Sequence, residues 1–299
     1  MKKSALILGL MFLPTLAHAQ GHPSLPDWIT PTTQDELPEA MLLAVRDGDQ
    51  AARDVAYPAV PLSAPDFVRE GLDGNGTCMG CHTTTGQGGP QSAPLAGLPP
   101  GYFVRQIVNF RNDDRGQAYR PNMANFAKEM TLEQTMAAAD YYASLRFEPW
   151  VDVVESEMVP RVFYGPRDIT AVYPSGGEEP LGERIIEISK TPSAPYTNGA
   201  KAFTAYVPVG SIAQGRELAN RGLGKTIACG LCHGADLNGD GDVPGIAGRS
   251  PLHNARQLME YRNGMRSGQS AQPMIAVAEN LSDADVIAIS AYVSSLLPN

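Results

Sequence analysis

Apolar residues recur at helical spacing in two separate parts of the chain. In one helical stretch Phe103, Ile107 and Phe110 fall on a single face, as in a helix packed against a core. Thr131 and Ser282 each precede a Gln or Asp by three residues, which is typical of a capping box at a helix start. The pattern predicts helices over 65–71, 102–112 and from Thr131 in the first part, and over 213–222, 253–263 and from Ser282 in the second.

The stretch 147–210 between these parts shows no helical pattern and is interrupted by prolines and glycines. Within it, 184–188 and 203–207 are predicted to be short β strands. We therefore expect a mostly irregular insert that covers the domains with a two-stranded element. Residues 20–62 are also rich in proline, which blocks helix interiors. They are predicted to form an irregular N-terminal arm with one short helix over 36–47.

The two helical parts repeat each other at an offset of 151 residues. At this offset Tyr141 falls on Tyr292, and Met123 falls on Met274. Solenoid repeats have periods of about 20–50 residues, so the longer period indicates two homologous domains. The sequence thus predicts an all-α protein with tandem domains at 63–146 and 211–299.

The N-terminus combines two lysines, a short apolar run and the sequence Ala17-His18-Ala19. This order is typical of a secretory signal peptide, predicted over 1–19, and it implies a periplasmic protein. No later run approaches the roughly 20 apolar residues of a membrane-spanning helix, so only peripheral association with a membrane complex is expected. The formal net charge of -9 argues against nucleic acid as a partner.

All four cysteines lie in two copies of Cys-x-x-Cys-His, at Cys78–His82 and Cys229–His233. This is the attachment signature of c-type haem: two thiols bind the haem covalently and the histidine becomes an axial ligand of the iron. A zinc site and a pair of disulfides are the alternatives. Zinc hooks are usually separated by about 15–20 residues, whereas 147 residues lie between Cys81 and Cys229. The sequence therefore predicts two covalently bound haems c.

The second axial ligand decides what a histidine-ligated haem does, because methionine there favours electron transfer and an open site favours binding and peroxide chemistry. Met123 and Met274 each follow the motif histidine, His82 or His233, by 41 residues. Both are expected after proline-containing loops before the last helix. They form the one methionine pair that the repeat preserves among the candidates. The competing residues are Met130, Met136 and Met265, with His22 and His253 as rival histidines.

Arginines in the second helix of each domain, and just after it, are candidates for neutralising the haem propionates. Arginine offers a permanent charge and bidentate hydrogen bonds, which buried propionates need. An exposed helix face is the alternative for each of them. The candidates are Arg105, Arg111, Arg115, Arg256, Arg262 and Arg266. In addition, the carbonyl before the turn 244–248 is expected to accept the His233 Nδ1 proton. The first domain has Ala93 where this turn has Pro244, which a backbone acceptor tolerates.

The two domains resemble class I cytochrome c domains, and the tandem resembles the two-haem cytochrome c4 family. The resemblance rests on Cys-x-x-Cys-His followed by Gly234, the turn 244–248, the segment 256–266, Met274 and the start of the last helix at 281–285. It implies helical domains around each haem, His/Met ligation, and electron exchange with periplasmic or membrane partners. The N-terminal arm and the long insert depart from this family.

Three functions follow, in order of preference. The first is an electron carrier without catalytic residues, which passes electrons from a dehydrogenase to an oxidase or another cytochrome. The second is a cytochrome subunit of a larger periplasmic dehydrogenase or oxidase complex. In that case the arm and the insert would dock the chain on its partner. The third is a two-haem enzyme of the peroxidase or thiosulfate dehydrogenase type. No fifth cysteine exists to serve as a haem ligand in such an enzyme.

Overall fold

The computed structural model describes residues 63–72, 76–90, 92–115, 121–164, 170–190 and 203–298. The predicted signal peptide at 1–19, the arm at 20–62 with its helix, and His22 lie outside these ranges. The described chain is rich in helix, with short strands in its middle, which confirms the predicted fold class. Within the described residues, no helix is long and apolar enough to cross a membrane.

The first helical domain packs five helices around an aromatic core. Val68 and Tyr142 are fully buried there, and the rings of Phe103 and Tyr142 stack with centroids 6.0 Å apart. The last helix begins at the predicted capping box, in which the side chains of Thr131 and Gln134 each accept the other residue's backbone N–H. The helices are α1 (Asp66–Glu70), α2 (Cys78–His82), α3 (Pro100–Arg111), α4 (Pro121–Glu129) and α5 (Leu132–Ser144).

The second helical domain repeats this order. Its last helix also begins at the predicted capping box, Ser282 with Asp285. Where the first and last helices cross, a Cβ on Gly215 would lie 1.9 Å from the Ala288 carbonyl oxygen, so only glycine fits. The helices are α6 (Ser211–Arg221), α7 (Gly230–His233), α8 (Pro251–Arg262), α9 (Gln272–Ala278) and α10 (Asp283–Ser295), with a 3-10 turn at Gln269–Ala271 and a hairpin of β8 (Gly239–Asp240) and β9 (Val243–Pro244).

Helices α3 and α8 each begin two residues earlier than the hydrophobic pattern predicts. Pro100 and Pro251 lie in the first turn, where proline is tolerated because its missing N–H would be unpaired in any case. The structure also adds two short helices, α4 and α9, to the segments that were expected to be proline-containing loops.

The insert contains more β structure than the expected two-stranded element, and that part of the prediction is wrong. Strand β7 pairs with β1 in parallel and with β6 in antiparallel orientation, which gives a three-stranded sheet. Two further pairs, β2 with β5 and β3 with β4, lie beside it. The strands are β1 (Val151–Glu155), β2 (Met158–Pro160), β3 (Val162–Tyr164), β4 (Thr170–Val172), β5 (Glu178–Pro180), β6 (Ile186–Ser189) and β7 (Phe203–Val207).

The sheet of the insert packs on the second domain. Ile185 and Val207 are buried in the same apolar cluster as the core of that domain. Helix α10 is consequently buried on both sides, and Ile287 is only 3% exposed, whereas its repeat partner Met136 in the first domain is 54% exposed. The insert is therefore a structural part of the second domain.

The two domains contact each other through equivalent segments. Arg115 and Arg266, which are repeat partners, form an antiparallel backbone bridge. The backbone N–H of Ser267 donates to the Asp114 carbonyl at 2.9 Å, and the Asn109 side chain donates to the Ser270 hydroxyl at 3.1 Å. Because the bridge joins repeat partners that follow α3 and α8, the domains pack about a local pseudo-two-fold axis.

Candidate functional site

Each Cys-x-x-Cys-His motif forms about one turn of helix. In the first domain the Thr77 side chain caps this turn by accepting the Gly80 N–H. All four cysteines are free thiols, so the disulfide alternative finds no support in the structure. The first cysteine of each motif, Cys78 or Cys229, is partly buried, and burial raises the pKa of both thiols to about 11. The second cysteine of each motif is exposed.

The motif histidines are oriented by the same hydrogen bond in both domains. His82 Nδ1 lies 2.7 Å from the Ala93 carbonyl oxygen, and His233 Nδ1 lies 2.7 Å from the Pro244 carbonyl oxygen. A carbonyl can only accept, so Nδ1 carries the proton and Nε2 is the nitrogen whose lone pair can bind a metal. The acceptor of His233 is thus the first residue of the turn 244–248 rather than the residue before it, and Ala93 takes the same role in the first domain.

The candidate methionines occupy equivalent helical positions. Met123 is the third residue of α4, and Met274 is the third residue of α9. Both are half-buried and pack against the core of their own domain. Among the competitors, Met130 is buried in the first core and Met136 is exposed. Iron ligation by Met123 and Met274 stays a prediction.

All six candidate arginines donate hydrogen bonds to protein groups. Arg111 donates to the carbonyls of Ala127 and Met130. Its repeat partner Arg262 donates to the Leu281 carbonyl and pairs with Asp283. Arg111 therefore ties α3 to the end of α4, and Arg262 ties α8 to the start of α10.

Arg105 pairs with Asp242 across the domains at 2.7 Å and is 39% exposed. Part of the guanidinium of Arg105, Arg111 and Arg262 already binds protein groups. A propionate contact for these three arginines stays a prediction.

The remaining candidates, Arg115, Arg256 and Arg266, are buried at the domain interface. Arg256 donates to the Pro90 carbonyl of the first domain at 2.9 Å. His253, the rival histidine of the second domain, is half-buried near these groups. Its pKa lies well below the ordinary value because of burial and the neighbouring arginine charges.

Arg115 and Arg266 form a four-residue network with Gln106 and Gln257. Arg115 donates to the side-chain oxygens of both glutamines at 2.8 Å. Arg266 does the same at 2.8 Å to Gln257 and 2.7 Å to Gln106. We call these four residues the Arg–Gln network. The repeat had already paired Gln106 with Gln257, but nothing in the sequence indicates contacts between the domains.

The interface arginines fit an anionic group. Arg115, Arg249, Arg256 and Arg266 are each at most 9% exposed, and two buried glutamates, Glu187 and Glu260, act on them electrostatically. The buried Nε of Arg266 has no hydrogen-bond partner in the described part of the chain. Unpaired buried cations are costly. The excess of positive charge at the interface is therefore suited to haem propionates. Haem c requires thiols for attachment and an oriented histidine as ligand, and both domains have them. The buried arginines add positive charge for the propionates.

Arg249 is a site residue that the sequence analysis missed. It donates to the Pro94 carbonyl of the first domain and to the Gly245 carbonyl of its own domain. Its repeat partner is Leu98. A charged residue where the other copy has an apolar one was the signal that could have identified it.

Comparison with known proteins defines the class. The cytochrome c family model matches residues 212–297. Cytochrome c-554(548) of Halomonas halodenitrificans is 37% identical over 75 residues, which cover 25% of this chain and 90% of that protein. The chain therefore belongs to the cytochrome c family.

More specific similarity points to two-haem relatives. The thiosulfate dehydrogenase electron acceptor of Thiomonas intermedia is 28% identical over 224 residues, or 73% of this chain and 78% of that protein. Cytochrome c4 of Azotobacter vinelandii is 31% identical over 84 residues, or 26% of this chain and 40% of that protein. The similarity to cytochromes c4 confirms the resemblance found in the sequence.

A solved structure, thiosulfate dehydrogenase (TsdBA) from Marichromatium purpuratum, matches with a TM-score of 0.54 and 25% identity. The match covers 78% of this chain but only 40% of that protein. This chain thus corresponds to less than half of the longer protein.

Proposed function

We propose that the chain is a periplasmic electron carrier with two haems c, held between His82 and Met123 in the first domain and between His233 and Met274 in the second. The equal hydrogen bonds of the two motif histidines carry this proposal, since His82 and His233 each place Nδ1 2.7 Å from a backbone carbonyl. When bound, each haem supplies a one-electron Fe(II)/Fe(III) couple.

The chain's own residues bind and orient the cofactors. The thiols of Cys78 and Cys81, and those of Cys229 and Cys232, would form the covalent attachments. The backbone carbonyls fix the histidine rings and increase the basicity of the ligand nitrogen. The free Nε of Arg266 would donate to a propionate. No residue is assigned a catalytic role, because electron transfer through an exposed haem edge requires no bound substrate.

We further propose that the electron donor is a periplasmic dehydrogenase, and that an oxidase or another cytochrome is the acceptor. The similarity to a thiosulfate dehydrogenase electron acceptor extends over 73% of this chain, including more than one domain. It favours a dedicated dehydrogenase partner, which binds this chain either transiently or in a stable larger complex. It also makes thiosulfate dehydrogenase the first donor to test.

Haem counting and ligand variants test the sites. A pyridine haemochrome assay should give two c-type haems per chain, and a count of one would contradict the proposal. The ferric protein should show the weak near-infrared band of Met-ligated haem. Met123→Ala and Met274→Ala should each remove about half of this band, while Met136→Ala, at an exposed methionine, is the matched control. A full band in both variants would show that Met123 and Met274 are not the iron ligands.

The same preparation tests carrier against enzyme. Thiosulfate alone should leave the ferric protein oxidised, whereas thiosulfate with a catalytic amount of thiosulfate dehydrogenase should reduce both haems. Reduction by thiosulfate alone, or turnover of added peroxide, would favour the enzyme hypothesis. No reduction in the presence of the dehydrogenase would exclude this donor.

A further inference from the structure

Arg249 lies between the two turns that support the motif histidines. Its Nη1 donates to the Pro94 carbonyl oxygen at 3.1 Å, and its Nε donates to the Gly245 carbonyl oxygen at 2.5 Å. Pro94 and Gly245 are repeat partners at the offset of 151 residues. One guanidinium group therefore contacts the same position of both domains.

These two positions directly follow the carbonyls that bind the histidines. Ala93 precedes Pro94 and accepts the His82 Nδ1 proton, and Pro244 precedes Gly245 and accepts the His233 Nδ1 proton. The Arg249 charge thus lies one peptide unit away from each histidine-binding carbonyl. Its charge is among the causes that lower the pKa of His233, after burial.

Arg249 is a buried cation that no carboxylate pairs with among the described residues. Its exposure is 6%, and its guanidinium carbon lies 4.7 Å from the centroid of the Phe147 ring. Burial lowers its pKa to about 10, so it remains charged at neutral pH. The first domain builds the same fold with Leu98 at this position. The fold of a single domain therefore does not require this arginine, although its burial is costly.

We propose that Arg249 is a positioning residue that raises the reduction potentials of both haems together. A fixed positive charge near both sites disfavours the ferric state, which carries one more positive charge than the ferrous state. Its hydrogen bonds hold both histidine-supporting turns in one arrangement. Each haem still takes up one electron from the donor protein, and only the free energy of that step changes. This inference rests on the proposed function, because it requires haem iron at His82 and His233.

Redox titration of three variants tests the inference. Arg249→Leu introduces the residue of the first domain, and Arg249→Lys keeps the charge but loses the guanidinium that spans two carbonyls. Arg161→Leu is the matched control, since Arg161 also stacks on an aromatic ring of the insert, with its guanidinium carbon 5.0 Å from the Tyr173 ring centroid. Each variant is first checked for two haems and an intact near-infrared band. The native protein is checked in the same way, and its failure to show two haems and this band would contradict the proposed function, not the role of Arg249.

For Arg249→Leu we expect the oxidised-to-reduced ratio of both haems, measured at a fixed potential, to rise at least threefold. Arg249→Lys should show a smaller rise in both haems, and it tests the inference if the leucine variant does not fold. Arg161→Leu should leave both ratios unchanged. A shift confined to the haem of the second domain, no shift in either haem, or an equal shift in Arg161→Leu would overturn the inference.

Discussion

At the scale of single residues, Glu187 joins the insert to the second domain through a fully buried carboxyl group. Its Oε1 accepts hydrogen bonds from the Ser250 hydroxyl and from the Leu252 N–H, at the start of α8. Its Oε2 has no partner in the described ranges. Burial raises the pKa of Glu187 to about 7, although these hydrogen bonds and the Arg256 charge oppose the shift.

This raised pKa predicts a pH-dependent stability. Between about pH 4.5 and 7 the folded protein keeps a proton that the unfolded chain releases, so the free energy of unfolding falls as the pH rises. We expect a loss of about 2 kcal/mol between about pH 5.5 and 7.5 from this group. Glu187→Gln should remove that loss in denaturant unfolding, while Glu183→Gln, at an exposed position, should keep it. Parallel pH profiles for native protein and Glu187→Gln would disprove the assignment.

At the scale of elements, the packing of α6 on α10 depends on Gly215. An added Cβ would lie 1.9 Å from the Ala288 carbonyl oxygen and 2.8 Å from the Tyr292 Cβ. Gly215→Ala should therefore destabilise the second domain by about 3 kcal/mol through overpacking, although alanine is the better helix former. Chemical denaturation measures this loss, with Asn220→Ala on the exposed face of α6 as the control. A more stable Gly215→Ala variant would show that the helices can separate without cost.

The elements that sequence could predict are those with local signals. The starts of α5 and α10 follow from the capping boxes at Thr131 and Ser282, and β7 follows from alternating apolar residues at 203–207. Strand β1 was not predicted, because it is specified by parallel pairing with β7 about 50 residues away. Helices α4 and α9 were missed because proline suggested loops, although proline is well tolerated in a first turn.

At the scale of the whole molecule, the repeat locates the motif residues but not their contacts across the pseudo-two-fold axis. The offset of 151 residues pairs His82 with His233 and Met123 with Met274 as equivalent positions. It could not show that Arg115 binds Gln257, or that Arg249 binds the Pro94 carbonyl. Such contacts depend on how two folded domains are placed, and residue spacing within either domain carries no information about that.

The Arg–Gln network predicts that the two domains lose their fixed placement when the glutamines are replaced. In Gln106→Leu or Gln257→Leu, each arginine loses one acceptor inside a buried interface. By the pseudo-two-fold symmetry, both variants should lose a similar stability, about 2 kcal/mol each. The double variant leaves four guanidinium N–H groups without these acceptors, and its loss should differ from the sum because the residues share one network.

Small-angle X-ray scattering separates loss of domain placement from loss of stability alone. The double variant Gln106→Leu/Gln257→Leu should show a larger radius of gyration than the native protein, and its thermal unfolding should resolve into two transitions. Gln214→Leu, at an exposed position of α6, should change neither measurement. An unchanged scattering curve with a single transition in the double variant would mean that other contacts between the domains, such as Arg105 with Asp242 and Arg249 with Pro94, suffice to hold them together.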